Sequence, residues 1–218
     1  QVMRAAGLLD RDAALAGQRE SAERSLQLDP RLPEAHLRMA QYLWATSNHA
    51  QARRHLERGV ALGPDHPLAL SMQAGAAACR GHLEEAIALQ RRSVAQEPLS
   101  AAQRANLGAY LLGAGRAGEA EAEFRHAEAL NPSVADPGLT FTLILQQRHD
   151  EALERILRWP TDALRDQALA LAYDGLGRTR DAELALDRLR ASDEPDSQLR
   201  LAEVLALRGE RDAAFDGI

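Results

Sequence analysis

Apolar and small residues recur in a fixed order along the chain, and this order predicts pairs of short helices. Each copy has an apolar or small pair, a large residue, an Ala, another hydrophobic residue, a small residue and a closing Pro. One copy is Met39, Ala40, Leu43, Ala52, Leu56, Gly59 and Pro64, and another is Leu107, Gly108, Leu111, Ala120, Phe124, Ala127 and Pro132. Small residues at these places let two helices cross closely. The pattern predicts an all-α chain without strands.

The copies follow one another with a period of 34 residues. Prolines 30, 64, 98 and 132 are each 34 residues apart. Beyond Pro132 the period shortens, and the order continues in Leu139, Thr140, Leu143, Ala152, Ile156 and Trp159, then Leu169, Ala170, Tyr173, Ala182, Leu186 and Leu189, then Leu201, Ala202, Leu205 and Ala214. A fixed period of this length is typical of two-helix repeats that stack on one another.

We therefore predict a right-handed superhelical solenoid of about six helix pairs in one continuous domain. An irregular first repeat covers residues 1–32, in which Ala22, Ser25, Leu26 and Pro30 keep the second-helix register. The full repeats cover about 33–66, 67–100, 101–132, 133–162 and 163–194, and a half-repeat covers 195–218. The chain starts with Gln1 and stops at Ile218 within a helical pattern, so we expect a piece of a larger protein.

Turn and cap residues support this division. Gly81, Gly115, Gly177 and Gly209 each precede a second-helix Ala by five residues, where a tight corner favours a residue that tolerates positive φ. Asp65 and Asp136 stand shortly before Pro67 and Pro137, which suits an N-cap followed by Pro in the first helical turn.

The repeated order resembles the tetratricopeptide repeat, whose signature is a Trp-Leu-Gly-Tyr run on the first helix and Ala-Phe-Ala-Pro on the second. The resemblance extends over nearly the whole chain. It implies that the first helix of each pair lines a concave surface where ligands bind.

Three phrases further resemble the repeat region of bacterial signalling proteins that carry a winged-helix or an adenylate-cyclase domain. They are residues 97–116, 168–183 and 199–215. This resemblance implies an accessory sensory or interaction role.

Composition narrows the function classes. The chain has 43 Ala and 26 Arg but no Lys, and its net charge is -6. The Arg residues are scattered, so no basic stripe suits a nucleic-acid backbone. No apolar run reaches the roughly 18 residues that a membrane-spanning helix needs. The compartment stays open, with a cytoplasmic location favoured over a periplasmic one.

Sequence motifs for catalysis, cofactors or metals are missing. There is no phosphate-binding loop, no nucleophile elbow and no His-Glu-x-x-His motif, and the seven His residues fall at spacings that do not converge. Cys79 stands among alanines, where we expect a buried small hydrophobic residue rather than a reactive thiol. We predict no enzymatic activity, no cofactor and no metal.

The candidate binding residues lie on the expected inward faces of three first helices. They are Leu37, Arg38, Gln41, Trp44, Leu68, Ser71, Met72, Ala105, Asn106 and Ala109. This surface is mostly small and apolar, which favours an apolar peptide or helix of a partner protein. The alternative for Trp44 and Met72 is packing between neighbouring helices.

These observations predict a non-catalytic protein-interaction module that binds a partner in its concave groove. Two alternatives stay open. The repeats could be the regulatory or substrate-positioning region of a larger enzyme of the adenylate-cyclase or sulfotransferase type, or a module that associates with itself.

Overall fold

The computed structural model of the chain describes residues 2–194 and 196–215. Side chains are described from residue 13 onward, apart from residues 133, 135, 211 and 215. Within these ranges there are thirteen helices and no strand, so the all-α prediction is confirmed. Gln1, in the predicted first repeat, and Pro195 and residues 216–218, in the predicted half-repeat, lie outside the described residues.

The helices follow one another through short connections. In chain order they are α1 Val2–Leu28, α2 Pro33–Ala45, α3 His49–Leu62, α4 Pro67–Cys79, α5 Leu83–Gln96, α6 Ala101–Gly113, α7 Ala117–Leu130, α8 Pro132–Leu145, α9 His149–Ile156, α10 Ala163–Gly175, α11 Thr179–Arg190, α12 Ser197–Leu207 and α13 Arg211–Phe215. From α2 to α11 the helices are alternately the first and the second helix of a predicted pair.

The corners inside the pairs take the predicted left-handed backbone. The four predicted glycines have positive φ: Gly81 79°, Gly115 75°, Gly177 68° and Gly209 82°. Two further corners place a non-glycine residue in the same conformation, Ser47 at φ 60° and Gln147 at φ 62°. Each stands five residues before a second-helix Ala, so the same corner is built with and without Gly.

The second-helix alanines are buried, as the repeat pattern predicts. The fully buried ones are Ala52, Ala86, Ala120, Ala152 and Ala182. The reason is close approach of the paired helices, which is visible at Gly59 of α3. A Cβ on Gly59 would lie 2.7 Å from the Leu37 side chain of α2, so only a very small residue fits there.

Two compact units divide the chain at a point inside α6: an N-terminal unit, Gln1–Tyr110, and a C-terminal unit, Leu111–Ile218. In the N-terminal unit α1 packs on α2, α2 pairs with α3, and α4 pairs with α5. In the C-terminal unit α8 packs between α7 and α9, α10 contacts α8, α9, α11 and α12, and α12 also contacts α11 and α13.

The first predicted repeat has a different form from a helix pair. Residues 2–28 form the single helix α1. Its Ala22 is buried with Met39 and Leu43 of α2, and Leu26 packs against this cluster. The second-helix register expected for this segment is therefore present, but the helix continues toward the N-terminus instead of turning.

Both predicted Asp N-caps are wrong. The cap of α4 is His66, whose Nδ1 accepts a hydrogen bond from the Leu68 N–H at 3.2 Å. α8 begins at Pro132, whose missing N–H costs nothing at the first helical position, so Asp136 and Pro137 lie inside the helix. Asp136 instead accepts a hydrogen bond from the Trp159 Nε1–H and forms an ion pair with Arg155.

Candidate functional site

The residues predicted to bind a ligand lie on α2, α4 and α6 in the N-terminal unit. Arg38, Gln41, Asn106 and Ala109 are exposed, and Trp44, Leu68, Ser71, Met72 and Ala105 are partly buried. The structure brings two of them together, because Asn106 Nδ2 lies 3.5 Å from Ser71 Oγ. This contact joins α4 and α6 on the predicted surface.

Leu37 is a core residue rather than a surface residue. Its exposed fraction is 0%, and its side chain occupies the space beside Gly59. Because α2 and α3 cross closely, the Leu37 side chain is buried between them and is not available to a ligand.

Trp44 takes part in packing within the N-terminal unit. It contacts the cluster of Ala22, Met39, Leu43 and Ala52 from the side, which is the alternative that the sequence left open for this residue. Arg38 and Gln41, earlier in α2, line a cleft of about 520 Å³ between α1 and α2. Arg38 is held there by Glu34, with Nη2 and Oε1 3.2 Å apart.

Cys79 differs from its predicted environment. The thiol is exposed at the C-terminal end of α4, so the expectation of a buried residue is wrong. Its helix neighbour Ala77 is fully buried, and two residues further along a helix the side chain points to another face.

The C-terminal unit contains a groove on its first helices α8, α10 and α12, which we call the apolar groove. Its volume is about 600 Å³. The lining residues are Phe141, Ile144, Leu145, Gln167, Leu171, Arg200, Glu203, Ala206 and Leu207. Leu145 and Leu207 are 60% and 67% exposed, and they line the same groove as Phe141, Ile144 and Leu171, so they belong to an apolar patch and are not scattered exposed residues.

One wall of the apolar groove is polar and fully hydrogen-bonded at its centre. Gln167 is only 5% exposed. Its Nε2 donates to Glu203 Oε2 at 2.6 Å, and its Oε1 accepts from Arg200 Nη1 at 2.9 Å. Because both ends of the amide have charged partners, the orientation of Gln167 is fixed and the two charged side chains are held along the groove.

A second, smaller cleft adjoins the apolar groove and shares Leu171 and Leu207 with it. Arg208 lies in this cleft and contacts three carboxylates. Its Nε is 2.7 Å from Asp174 Oδ2, and its Nη1 is 2.5 Å from Glu183 Oε1 and 3.7 Å from Glu210 Oε1. The hydrogen bonds to Asp174, and then to Glu183, raise the pKa of Arg208. We call this cleft the acidic end of the groove.

The sequence contained a signal for the apolar groove. Gln41 follows the apolar residue Met39 by two positions, and Phe141, Leu171 and Glu203 follow Leu139, Leu169 and Leu201 by the same two positions. The position of Gln41 on α2 therefore corresponds to one residue that lines the apolar groove on each of α8, α10 and α12.

Metal clusters and membrane-spanning helices are both absent from the ranges that the structure describes. Among those residues no group of three or more His, Cys, Asp or Glu side chains is placed to hold a metal ion. None of the helices described there is both long and apolar enough to span a bilayer.

Comparison with known proteins gives a family match for one segment and a set of solved structures with a similar fold. Residues 33–76, which cover α2, α3 and most of α4, match the tetratricopeptide repeat model. No curated protein matches the chain. The matched segment is 44 of the 218 residues, and the solved structures below share the helical solenoid fold over most of the chain.

Three solved structures illustrate the shared fold. PilW, a type IV pilus biogenesis factor, is 19% identical with a TM-score of 0.68, over 91% of this chain and 96% of PilW. A chain of the APC/C hetero-tetramer Cut9-Hcn1 is 15% identical with a TM-score of 0.67, over 93% of this chain and 42% of that chain, so this protein spans less than half of that relative. YrrB, a repeat protein with an unusual peptide-binding site, is 13% identical with a TM-score of 0.56, over 89% of this chain and 96% of YrrB.

Proposed function

We propose that this protein is a non-catalytic interaction module that binds a peptide segment or a helix of a partner protein in the apolar groove. Tetratricopeptide repeat proteins generally mediate contacts between proteins without catalysis. One observation carries the proposal for this chain, namely the exposure of Leu145 and Leu207 beside Phe141, Ile144 and Leu171 in a concave surface.

Hydrophobic burial supplies the driving force. Complete burial of a Leu side chain is worth about 1.5–3 kcal/mol, so covering the exposed parts of Leu145 and Leu207 contributes about 1–2 kcal/mol each. Partner side chains that enter the groove bury a similar area of their own. Gln167, Arg200 and Glu203 are already held in place, so little side-chain entropy is lost when a ligand contacts them.

The predicted residues of the N-terminal unit form a second proposed contact surface, without Leu37. Asn106 and Gln41 are exposed and carry amides that suit the backbone of a bound peptide. Trp44 and Met72 contribute only their accessible edges.

Selection from a phage-displayed library of random 12-residue peptides tests the groove. The full chain should select peptides with several apolar residues, and the double substitution L145A/L207A should abolish their binding. Leu184→Ala is the matched control, because Leu184 is 50% exposed on the second helix α11 of the same unit and does not line the groove. Peptides that bind the double variant as tightly as the parent would refute the proposal.

The resemblance to bacterial signalling proteins and the self-association alternative remain predictions. Sequencing the gene on both sides tests the first, since a winged-helix or cyclase domain would support a regulatory role in a larger protein. Light scattering at increasing protein concentration tests the second.

A further inference from the structure

We infer that the segment bound in the apolar groove carries Arg or Lys next to its apolar anchors. This inference rests on the proposed function and adds the charge of the partner to it. The observation behind it is the acidic end, which continues from the groove through the shared residues Leu171 and Leu207.

The acidic end has more negative than positive charge. Asp174, Glu183 and Glu210 share Arg208, so three carboxylates surround one guanidinium. Arg190 does not restore the balance, because its Nη1 lies 4.0 Å from Glu183 but 2.9 Å from Asp187, a further carboxylate. Among the side chains that the structure describes, these contacts therefore join two cations to four carboxylates.

The surplus charge is accessible to a partner. The side chains of Glu183 and Glu210 are 46% and 49% exposed, whereas that of Arg208 is 15% exposed. Glu210 also makes the longest of the three contacts with Arg208. An incoming ammonium or guanidinium group can thus reach carboxylate oxygens that Arg208 leaves open.

The charge of the whole C-terminal unit acts in the same direction. Residues 111–218 contain 13 Arg against 21 Asp and Glu, a net charge of -8, whereas residues 1–110 contain 13 Arg against 11, a net charge of +2. A field of this sign raises the encounter rate of basic segments and lowers that of acidic ones.

The charges inside the apolar groove do not reverse this preference. Arg200 and Glu203 both line the groove and are bridged by Gln167, so they contribute one charge of each sign. The difference in affinity between basic and acidic partner segments therefore depends on the acidic end. A segment with Leu or Phe anchors in the groove and a basic residue at this end satisfies both surfaces.

Three synthetic peptides with one Leu/Phe core test the inference, with the core flanked on both sides by Lys, by Gln or by Glu. Fluorescence anisotropy with the full chain measures their affinities at 50 and 300 mM NaCl. We expect the Lys-flanked peptide to bind about tenfold more tightly than the Gln-flanked one at low salt, the Glu-flanked peptide to bind most weakly, and the differences to shrink at high salt.

Substitutions locate the effect. The double substitution E183Q/E210Q should remove most of the advantage of Lys flanks. Glu210→Gln alone should remove part of the advantage of Lys flanks. This single variant should keep the fold, because it loses only the longest contact with Arg208. Glu154→Gln is the matched control, an exposed carboxylate on the second helix α9 outside both clefts.

The outcomes separate this inference from the proposed function. Equal affinity for the three peptides, with binding still lost in L145A/L207A, overturns the charge preference and keeps the groove. Lys-dependent binding that survives L145A/L207A overturns the inference, because it reflects a general acidic surface. Absence of binding by all three peptides overturns both the inference and the groove.

Discussion

Replacing Gly138 with Ala tests how closely α7 and α8 pack in the C-terminal unit. A Cβ on Gly138 would lie 2.4 Å from Phe124 Cε1 and 2.5 Å from Phe124 Cζ. Phe124 is 3% exposed, so its rigid ring lies in the core and cannot swing out into solvent without losing that burial. The substitution therefore forces either the ring or the helix to shift.

Two effects of opposite sign decide the stability of this variant. Ala is favoured over Gly in a helix by about 1 kcal/mol, whereas an added methyl group in a well-packed core costs about 1–3 kcal/mol. Because the contact is about 1 Å shorter than ordinary van der Waals contact, we place the packing cost near the upper part of that range. The net expectation is a loss of about 1–2 kcal/mol.

Thermal and urea unfolding, followed by far-ultraviolet circular dichroism, measure this loss. In a chain of this size a change of 1 kcal/mol corresponds to a shift of about 2–4 °C in Tm. Gly118→Ala is the matched control, because Gly118 lies in the neighbouring helix α7 and an added Cβ meets nothing within 4 Å. The control should keep or slightly raise Tm, while Gly138→Ala lowers it.

A second substitution attributes the cost to Phe124. In a Phe124→Leu background the smaller side chain leaves room for the methyl group, so Gly138→Ala should cost at least about 1 kcal/mol less than in the parent. A Gly138→Ala variant as stable as the parent, or a cost that is unchanged in the Phe124→Leu background, would refute the packing argument.

The corner at Ser47 and the ion pairs of Glu121 both affect the stability of the fold. Ser47→Gly should stabilise the chain by up to about 1 kcal/mol, because Ser47 has φ 60° and left-handed backbone is strained for residues with a Cβ. Thermal unfolding should therefore show a higher Tm for Ser47→Gly and a lower Tm for Gly115→Ser. An unchanged Tm in both variants would contradict the reasoning. Burial opposes ionisation of Glu121, but hydrogen bonds from Arg148, Gln146 and Arg125 outweigh it and lower its pKa to about 2. Since this folded-state pKa lies below the ordinary Glu pKa of 4.5, the stabilisation is present above about pH 4.5 and is lost as the pH falls toward 2. Glu121→Gln should flatten the fall in Tm over that range, and an identical pH profile would show that the network does not contribute.

The residue type at a corner indicates positive φ only where that residue is Gly. Gly81 and Gly177 could be assigned because Gly tolerates left-handed backbone at little cost. Ser47 and Gln147 take the same conformation although their residue types do not require it. Their positions follow from the repeat register, five residues before Ala52 and Ala152, and not from the residue type at the corner.

Local spacing and residue size are enough to assign the helix pairs, their corners at Gly and the burial of the second-helix alanines. The same spacing shows that Phe141 and Leu171 occupy in later repeats the position that Gln41 occupies in α2. The folded structure was needed to show that Leu37 is interior, that Cys79 is exposed, and that α8, α10 and α12 leave an apolar groove open. Whether a residue on a helix faces a neighbour or water depends on which other helices cover it, and that covering is a property of the assembled fold.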